Sequence, residues 1–344
     1  MPTNSTYITI LREPFSHLKS AYEYYKIEKY FVAKAPGTFD PSNPISSFLK
    51  DPYFYSSNGT NFTIIRNSQS ADLGIREEHL ETTRFQEYLE TLDKDFSLVM
   101  ILEYFDESLL MLKRLLCWEL KDILYIPMNE NSRKRILPYT EEDRMLYKEF
   151  SPLDHALYSF FRSKFASMLK SQNKEFFDEL SHFKSLLKEV RFNCMFGNTL
   201  VVKATQWHSE FEFTGEDCRL ANMDCIYPIP DGTLLVVLAL SSLAISVAIL
   251  KSQLQVHAFR ITPFETLKVS TPLRQEPPPR ASTCPPAKNV VFIKTHKTGS
   301  STVANIIFRY GLVRKLNFAL PNRAIFQRLL NHISIPGEVM TEPS

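Results

Sequence analysis

The feature that most constrains the fold of this 344-residue chain is the stretch "VVFIKTHKTGSST", residues 290–302. Apolar residues run up to Lys294, and after Gly299 apolar residues recur at helical spacing, which predicts a buried strand, a tight loop and a helix. Glycine lets the backbone approach a ligand closely, and the positive end of a helix favours an anion. Lys297 adds a positive charge beside that helix end. The stretch therefore predicts a phosphate-binding loop in an α/β fold.

This loop differs from the Walker A motif of nucleoside triphosphatases. That motif places a lysine directly after its second glycine, whereas Lys297 precedes Gly299 by two residues and no earlier glycine is in range. The sequence also shows no strand-borne aspartate with a convincing magnesium role, so we expect no metal. The alternatives are a nucleotide kinase, which the loop disfavours, and an ordinary strand–helix turn that binds nothing.

A second anion signal lies in "ITILREPFSHLKSAYEYY", residues 8–25. A predicted strand at 7–11 leads through Arg12 into a predicted helix at about 15–30. Arg12 then lies at the carboxyl end of a strand, where open α/β sheets bind their ligands, and its guanidinium group can bind phosphate through two parallel hydrogen bonds. Ser20 follows in the helix. His17, in the same helix, is expected at the surface.

Together the two segments resemble the sulfotransferases that use 3′-phosphoadenosine 5′-phosphosulfate (PAPS). In that superfamily a lysine-containing Ser/Thr/Gly loop binds the 5′-phosphosulfate, and an arginine with a serine eight residues later binds the 3′-phosphate. Residues 297–301 match the loop, and Arg12 with Ser20 matches the second pattern. The stretches "NVVFIKTHKTGSST", "FRYG", "LNFALP", "LVMILEYFDESLLMLKRLLCW" and "DILYIPMN" resemble the galactose-3-O-sulfotransferase family, over about three quarters of the chain.

The resemblance implies a P-loop-like sulfotransferase fold with a central parallel sheet flanked by helices. It implies transfer of a sulfuryl group from PAPS to the 3-hydroxyl of a galactose, on a glycolipid such as galactosylceramide or on a glycan. Lys297 would stabilise developing charge, and His296 is a candidate base for the hydroxyl proton, its alternative being a hydrogen-bonded loop residue. The residues implied in PAPS binding are Lys294, Lys297, Thr298, Gly299, Ser300, Ser301, Thr302, Arg12 and Ser20.

The order of the segments differs from that of the family. Residues 1–230 resemble the C-terminal part of a sulfotransferase domain, with the 3′-phosphate site. A candidate signal-anchor helix at 233–250, a Pro-rich stem at 251–287 and the N-terminal part at 288–344 follow it. Family residues between the "FALP" stretch and the arginine-bearing strand are mostly absent. Two origins stay open: a true permutation, or a join between the end of one tandem gene copy and the start of the next.

The candidate anchor, "TLLVVLALSSLAISVAIL", is an uncharged run of 18 residues, near the lower limit for spanning a bilayer. The alternative is a buried core helix. If the run spans a membrane, Arg12 and Lys297 lie on opposite sides and cannot share a nucleotide. Counting lysines and arginines would place the Lys297 loop in the cytoplasm, whereas the family's loop is lumenal. Either one permuted site assembles, or the two halves are separated.

Three N-glycosylation sequons, at Asn4, Asn58 and Asn61, favour a lumenal domain, and the resemblance implies a Golgi membrane location. The alternative is three ordinary loop asparagines. Among the five cysteines, Cys117 lies in an apolar helical pattern and is expected to be a buried thiol. One disulfide is expected among Cys194, Cys218 and Cys225, if the compartment is oxidising.

The remaining elements follow from periodicity and turn residues. A buried parallel strand is predicted at 97–102, and an irregular loop at 33–70. Residues 194–231 are expected to be irregular or β-like, and 321–344 show little pattern. Further helices are predicted at 76–92, 106–118, 141–149, 153–169, 174–190 and 299–311.

Composition limits the classes of partner. The net charge is +2 and no block of lysine or arginine stands out, so we expect no nucleic acid partner. Two further readings remain: an inactive or misassembled sulfotransferase-fold chain that binds nucleotide at most, and a membrane-anchored binding protein without chemistry.

Overall fold

The computed structural model describes residues 5–35, 37–56, 64–75, 84–127, 137–223, 237–240 and 284–318. Its strands are β1 Thr6–Leu11, β2 Leu98–Ile101, β3 Leu200–Val202, β4 Phe211–Phe213, β5 Val237–Leu240 and β6 Val290–Lys294. Its helices are α1 Pro14–Tyr24, α2 Glu28–Lys34, α3 Pro44–Lys50, α4 Pro52–Ser56, α5 Ser68–Asp72, α6 Arg84–Asp95, α7 Phe105–Leu116, α8 Glu141–Phe150, α9 Pro152–Lys170, α10 Lys174–Phe196, α11 Gly215–Ala221 and α12 Ser300–Val313. Short 3₁₀ turns follow at Leu102–Tyr104 and Leu120–Ile123.

The central sheet has the strand order β2-β1-β6-β5, and every neighbouring pair is parallel. Residues Leu98–Ile101 and the first four residues of β6 are buried, as expected for a parallel sheet covered on both faces. Thr9 in β1 lies opposite Ile293 in β6, and its hydroxyl donates to the Ile293 carbonyl oxygen over 2.8 Å. Strands from 1–230 and from 288–344 thus share one sheet.

Two apolar cores hold the helices. The larger core surrounds the sheet and includes the inward faces of α7, α9, α10 and α12. The smaller core is aromatic and joins α1, α2, α3 and α8, with the rings of Phe31 and Phe48 stacked at 4.9 Å between centroids. Helix α1, which begins two residues after Arg12, therefore connects the sheet to the smaller core.

The helix boundaries agree with the local sequence signals where caps are present. Thr140 caps α8 reciprocally with Asp143, and Asn173 caps α10, which ends at Gly197 in the left-handed conformation. The helix predicted at 15–30 is in fact two, α1 and α2. The loop predicted at 33–70 was wrong in part, because α3, α4 and α5 lie within it.

The membrane-span prediction falls mostly outside the described residues. Within 233–250, residues Val237–Leu240 form strand β5 beside β6 rather than a helix. Across the described stretches, no helix is both long and apolar enough to cross a membrane. The sequons at Asn4, Asn58 and Asn61, most of the stem at 251–287 and the tail at 321–344 also lie outside the described residues.

Two disulfides connect distant parts of the fold. Cys194 and Cys218 are bonded, which confirms the prediction of one disulfide in that region. Cys117 is bonded to Cys284 with a Cα–Cα distance of 5.9 Å, so its prediction as a buried free thiol was wrong. The sequence hides this partner because Cys284 is 167 residues away. The bond ties the chain just before β6 to the end of α7.

Candidate functional site

The site residues lie at one edge of the sheet, directly after two neighbouring strands. β1 ends at Leu11 and is followed by Arg12, while β6 ends at Lys294 and is followed by the loop Thr295–Gly299. Because the two strands are parallel and paired, their carboxyl ends meet. This edge is where ligands bind in open α/β sheets. The structure therefore brings together the two anion signals that lie at opposite ends of the sequence.

The loop after β6 takes a backbone path that needs glycine. Gly299 has φ 76° and caps α12 in the left-handed conformation. A Cβ atom at this position would lie 2.7 Å from Cδ1 of Leu102. Lys297 also has a positive φ, 57°, a conformation that costs energy for a residue with a side chain. The loop is thus held tightly against the end of β2.

Buried hydroxyl groups stabilise the loop from inside. Thr295 donates to the Ile10 carbonyl oxygen and lies 2.7 Å from the hydroxyl of Thr298. Ser300 Oγ donates to the Thr295 carbonyl oxygen over 2.5 Å. Thr298 and Ser300, predicted as PAPS-binding residues, therefore use their hydroxyls within the loop. What they can offer a ligand in this conformation is their backbone. Ser301 is half-buried, and Thr302 is buried.

The two helices at this edge differ in how their N-termini are satisfied. The Glu13 carboxylate caps α1 by accepting from the backbone N–H groups of Phe15 and Ser16. At α12 no side chain caps the helix, and its first turn holds no acidic residue. An uncapped helix N-terminus favours an anion. The site for an anion is therefore the start of α12 rather than the start of α1.

Arg12 connects the first strand to the loop. Its Nη1 donates to the Lys297 carbonyl oxygen over 3.0 Å, and its Nε and Nη2 donate to the Ser16 hydroxyl at 3.2 and 2.9 Å. Burial lowers the pKa of the guanidinium group, while Glu103 and Glu13 act in the opposite direction. The hydroxyl that Arg12 contacts is thus Ser16, one helical turn before the predicted Ser20. Sequence reasoning missed Ser16, although its position four residues after Arg12 was available as a signal.

One face of α1 lies beside the Lys297 loop. Ser16, Ser20 and Tyr24 follow one another at intervals of four residues and so lie on the same side of the helix. The Lys297 Nζ atom lies 3.6 Å from the centroid of the Tyr24 ring, a cation–π contact. Ser20 is half-buried. The α1 face and the Lys297 side chain together border the space in front of the loop.

His296 is paired with a carboxylate that the sequence did not reveal. Its Nδ1 lies 2.9 and 2.8 Å from Oδ1 and Oδ2 of Asp72, and its backbone N–H donates to the same carboxylate over 2.7 Å. The negative charge of Asp72 is the largest cause of a raised pKa at His296. The two residues are 224 positions apart, and no local pattern marks such a pair.

His17 is part of this arrangement rather than a surface residue. Its side chain is fully buried, and its Nε2 lies 2.8 Å from the His296 carbonyl oxygen. A carbonyl only accepts, so Nε2 must donate. Burial lowers the pKa of His17 to about 3, so the ring is neutral at physiological pH. The surface prediction was wrong because α1 packs its His17 face against the loop. His17 and Arg12 together hold two successive loop carbonyls.

The hydrogen-bond donors at this edge of the sheet suit an anion with three or more oxygen acceptors. Arg12, Lys294 and Lys297 supply positive charge, and the start of α12 supplies backbone N–H groups. Among the described residues, no group of three His, Cys, Asp or Glu side chains could hold a metal ion. The residues present thus fit the phosphate and phosphosulfate groups of a nucleotide such as PAPS.

The comparisons with known proteins place the chain in a family. A family model described as galactose-3-O-sulfotransferase matches residues 1–211 and 230–331. The chain is 34% identical over 183 residues to galactosylceramide sulfotransferase of Homo sapiens, covering 51% of this chain and 41% of that protein. It is 32% identical over 170 residues to galactose-3-O-sulfotransferase 3 of Mus musculus, covering 48% of this chain and 38% of that protein.

The matched region is thus about half of this chain and about two fifths of each of these relatives. No solved structure matches the chain. The family model, in contrast, covers most of the residues, including both β1 with Arg12 and the loop with Lys297. This chain therefore belongs to the galactose-3-O-sulfotransferase family.

Proposed function

We propose that this protein is a sulfotransferase that acts on the 3-hydroxyl of a galactose residue, with PAPS as the donor. The observation that carries the proposal is the contact between Arg12 and the Lys297 loop. Two anion-binding elements at the ends of neighbouring strands suit a donor with separate 3′-phosphate and 5′-phosphosulfate groups. The names of the relatives, galactosylceramide sulfotransferase and galactose-3-O-sulfotransferase, support galactose as the acceptor.

Different residues of the chain would bind the two ends of the donor and stabilise the developing charge. The backbone N–H groups at the start of α12 would hold the 5′-phosphate, with Lys294 nearby, and Arg12 with Ser16 and Ser20 would hold the 3′-phosphate. PAPS supplies the sulfuryl group when it is bound. Lys297 would stabilise the negative charge that develops on the bridging oxygen of the leaving phosphate.

His296 is the proposed general base. Its imidazole would accept the proton of the galactose hydroxyl as the new oxygen–sulfur bond forms and the bond to the phosphate breaks. The side chain is 38% exposed, so a solvent-facing edge of the ring is reachable from outside. A base needs the neutral form of the ring. Asp72 raises the pKa of His296, although burial, Lys294 and Lys297 act in the opposite direction, so His296 acts as a base above that raised pKa.

We further propose a lumenal Golgi location with an acceptor on a glycolipid or a glycan. Two disulfides among the described residues support an oxidising compartment. N-glycosylation at Asn4, Asn58 and Asn61 remains a proposal from the sequence, and digestion of the secretory-pathway product with an N-glycosidase would test it by a shift in mass. A membrane anchor at 233–250 is not part of the proposal, because Val237–Leu240 pairs with β6 in the sheet that holds the site.

The direct test uses the full chain expressed in the secretory pathway of a cultured cell. Labelled PAPS would be offered with galactosylceramide, with lactosylceramide and with a galactose-terminated glycan, and 3′,5′-bisphosphoadenosine binding would be measured by calorimetry. We expect both binding and transfer to a galactose 3-hydroxyl. Binding without transfer to any acceptor would instead support the reading of an inactive chain, and loss of both would reject the nucleotide site.

A further inference from the structure

Helix α5 bridges the two halves of the candidate site. Gln69 in this helix bonds both backbone groups of Arg12: the Arg12 N–H donates to Oε1 over 2.7 Å, and Nε2 donates to the Arg12 carbonyl oxygen over 2.9 Å. Asp72, at the other end of the same helix, accepts from the backbone and the ring of His296. One short helix therefore fixes the positions of both the arginine and the histidine.

This bridge is itself rigidly mounted. The buried carboxylate of Asp154 accepts from the backbone N–H groups of Ser70 and Gln69, at 2.8 and 3.3 Å. Asn67, in the left-handed conformation with φ 51°, accepts from the backbone N–H groups of Leu153 and Asp154. These bonds tie α5 to the start of α9. A site residue carried by α5 is therefore held by the body of the fold and does not depend on the loop alone.

The Asp72 contacts decide which nitrogen of His296 carries a proton. A carboxylate only accepts, so Nδ1 must carry a hydrogen. In the neutral ring Nε2 is then the basic atom. Asp72 is 5% exposed, whereas the His296 side chain is 38% exposed. The Nδ1 edge of the ring is thus anchored in the protein, and the opposite Nε2 edge remains for a ligand.

We infer that Asp72 is a positioning residue for the sulfuryl transfer: it orients the His296 imidazole and fixes the tautomer in which Nε2 accepts the hydroxyl proton. The inference rests on the proposed function, in which His296 is the base. Removing the carboxylate would free the ring to rotate and to adopt the opposite tautomer, whose Nε2 carries hydrogen and cannot accept.

The charges around His296 give the inference a pH signature. Asp72 raises the pKa of His296, while burial, Lys294 and Lys297 lower it. His17 faces the His296 carbonyl group and is neutral. Burial raises the pKa of Tyr25, and the nearby Tyr24 and Asp72 raise it further. Loss of the Asp72 charge should therefore lower the pKa of His296 and move the acid limb of the pH–rate profile to lower pH.

The test compares Asp72→Asn with Asp72→Glu and with Asp122→Asn. Asp122 is a matched control, because its largely buried carboxylate also forms a two-point pair, with Arg314, away from the site. The histidine resonances of ¹⁵N-labelled protein would report tautomer and pKa, with His296 assigned by His296→Gln among the eight histidines. Sulfuryl transfer would be followed across pH 5–9, with 3′,5′-bisphosphoadenosine binding as a check on the donor site.

We expect Asp72→Asn to lower kcat about 100-fold, on the scale of general-base catalysis, and to change donor binding less than about threefold. Its His296 should lose the Nδ1–H tautomer and titrate at lower pH. Asp72→Glu should restore the raised pKa in part, and Asp122→Asn should match the wild type. An unchanged His296 titration or an unchanged kcat in Asp72→Asn would overturn the inference. Absence of transfer by the wild type would reject the proposed function and, with it, any catalytic role for Asp72.

Discussion

Arg12 donates from Nη1 to the carbonyl oxygen of Lys297 across 3.0 Å, although 285 residues separate the two along the chain. Both follow paired parallel strands, so the sheet brings Arg12 and the Lys297 loop together. Of the two alternatives raised by the permuted order, the structure has the one in which a single site assembles. For assembly of the site, the pairing of β1 with β6 matters more than the order of these strands along the chain.

Replacement of Lys297 by alanine should lower kcat for sulfuryl transfer by about 100-fold or more, since it removes a cation placed at developing charge. The fold should stay intact, because the half-buried Lys297 side chain packs on the ring of Tyr24, which is itself 60% exposed. Lys203→Ala is the control, a lysine paired with an exposed glutamate away from the site. Retained transfer in Lys297→Ala would remove Lys297 from the mechanism.

Gly299→Ala should destabilise the fold more than Gly197→Ala. Both glycines have a positive φ, at 76° and 69°, so each substitution carries a backbone cost of about 1–2 kcal/mol. Only at Gly299 would the added Cβ also meet a neighbour, Leu102 Cδ1, at 2.7 Å, whereas Gly197 has nothing within 4 Å.

The overlap between the new Cβ and Leu102 should lower the free energy of unfolding by about 1–3 kcal/mol more. Urea unfolding of the two glycine variants would measure this difference. The second substitution Leu102→Ala should recover part of the difference in a Gly299→Ala background. Equal losses of stability for the two glycine variants would show that the loop can shift away from Leu102.

Local patterns predicted most of the regular structure. The strand–loop–helix unit around Gly299, strand β2 and helices α7 to α10 follow from apolar spacing and caps, which act within a few residues. The short helices α3 and α4 were missed because tertiary contacts stabilise them, chiefly the aromatic cluster around Phe31 and Phe48. Helices this short are not stable through their own hydrogen bonds.

The candidate site also has features that the sequence predicts and features that it does not. Arg12 and the loop residues were predicted because each carries its own sequence pattern. The pairing of His296 with Asp72, the burial of His17 and the bond between Cys117 and Cys284 depend on residues that the fold brings together from far apart. A single sequence contains no local signal for such contacts.

His17 should make the protein sensitive to acid. Burial lowers its pKa to about 3 in the folded state, against about 6.5 in the unfolded chain. A lowered histidine pKa contributes stability above pH 6.5, and this stability is lost as the pH falls toward 3. We expect the free energy of unfolding of the wild type to fall by about 2–3 kcal/mol more than that of His17→Gln between pH 6.5 and 4.5.

Glutamine can donate to the His296 carbonyl oxygen in place of Nε2 but does not titrate, which makes it the suitable replacement. The measurement is a series of urea unfolding curves at several pH values. Parallel pH dependence for wild type and His17→Gln would mean that His17 is accessible to protons in the folded state.

The two disulfides should contribute unequally to stability. Cys117 and Cys284 are separated by 167 residues, and Cys194 and Cys218 by 24. In the chain-entropy model, a longer closed loop restricts the unfolded state more, giving about 5 kcal/mol for the first bond and about 3.5 kcal/mol for the second. The first bond also lies beside a backbone hydrogen bond from Ala287 to the Leu116 carbonyl oxygen, which holds the chain that enters β6.

We therefore expect the Cys117→Ser/Cys284→Ser variant to lose more thermal stability than Cys194→Ser/Cys218→Ser, each made in a Cys225→Ser background to prevent thiol exchange. The first variant should also weaken 3′,5′-bisphosphoadenosine binding, because β6 leads directly into the Lys297 loop. An equal loss of Tm in the two variants, with donor binding unchanged in both, would show that β6 stays in place through its pairing with β1 and does not need the covalent tie.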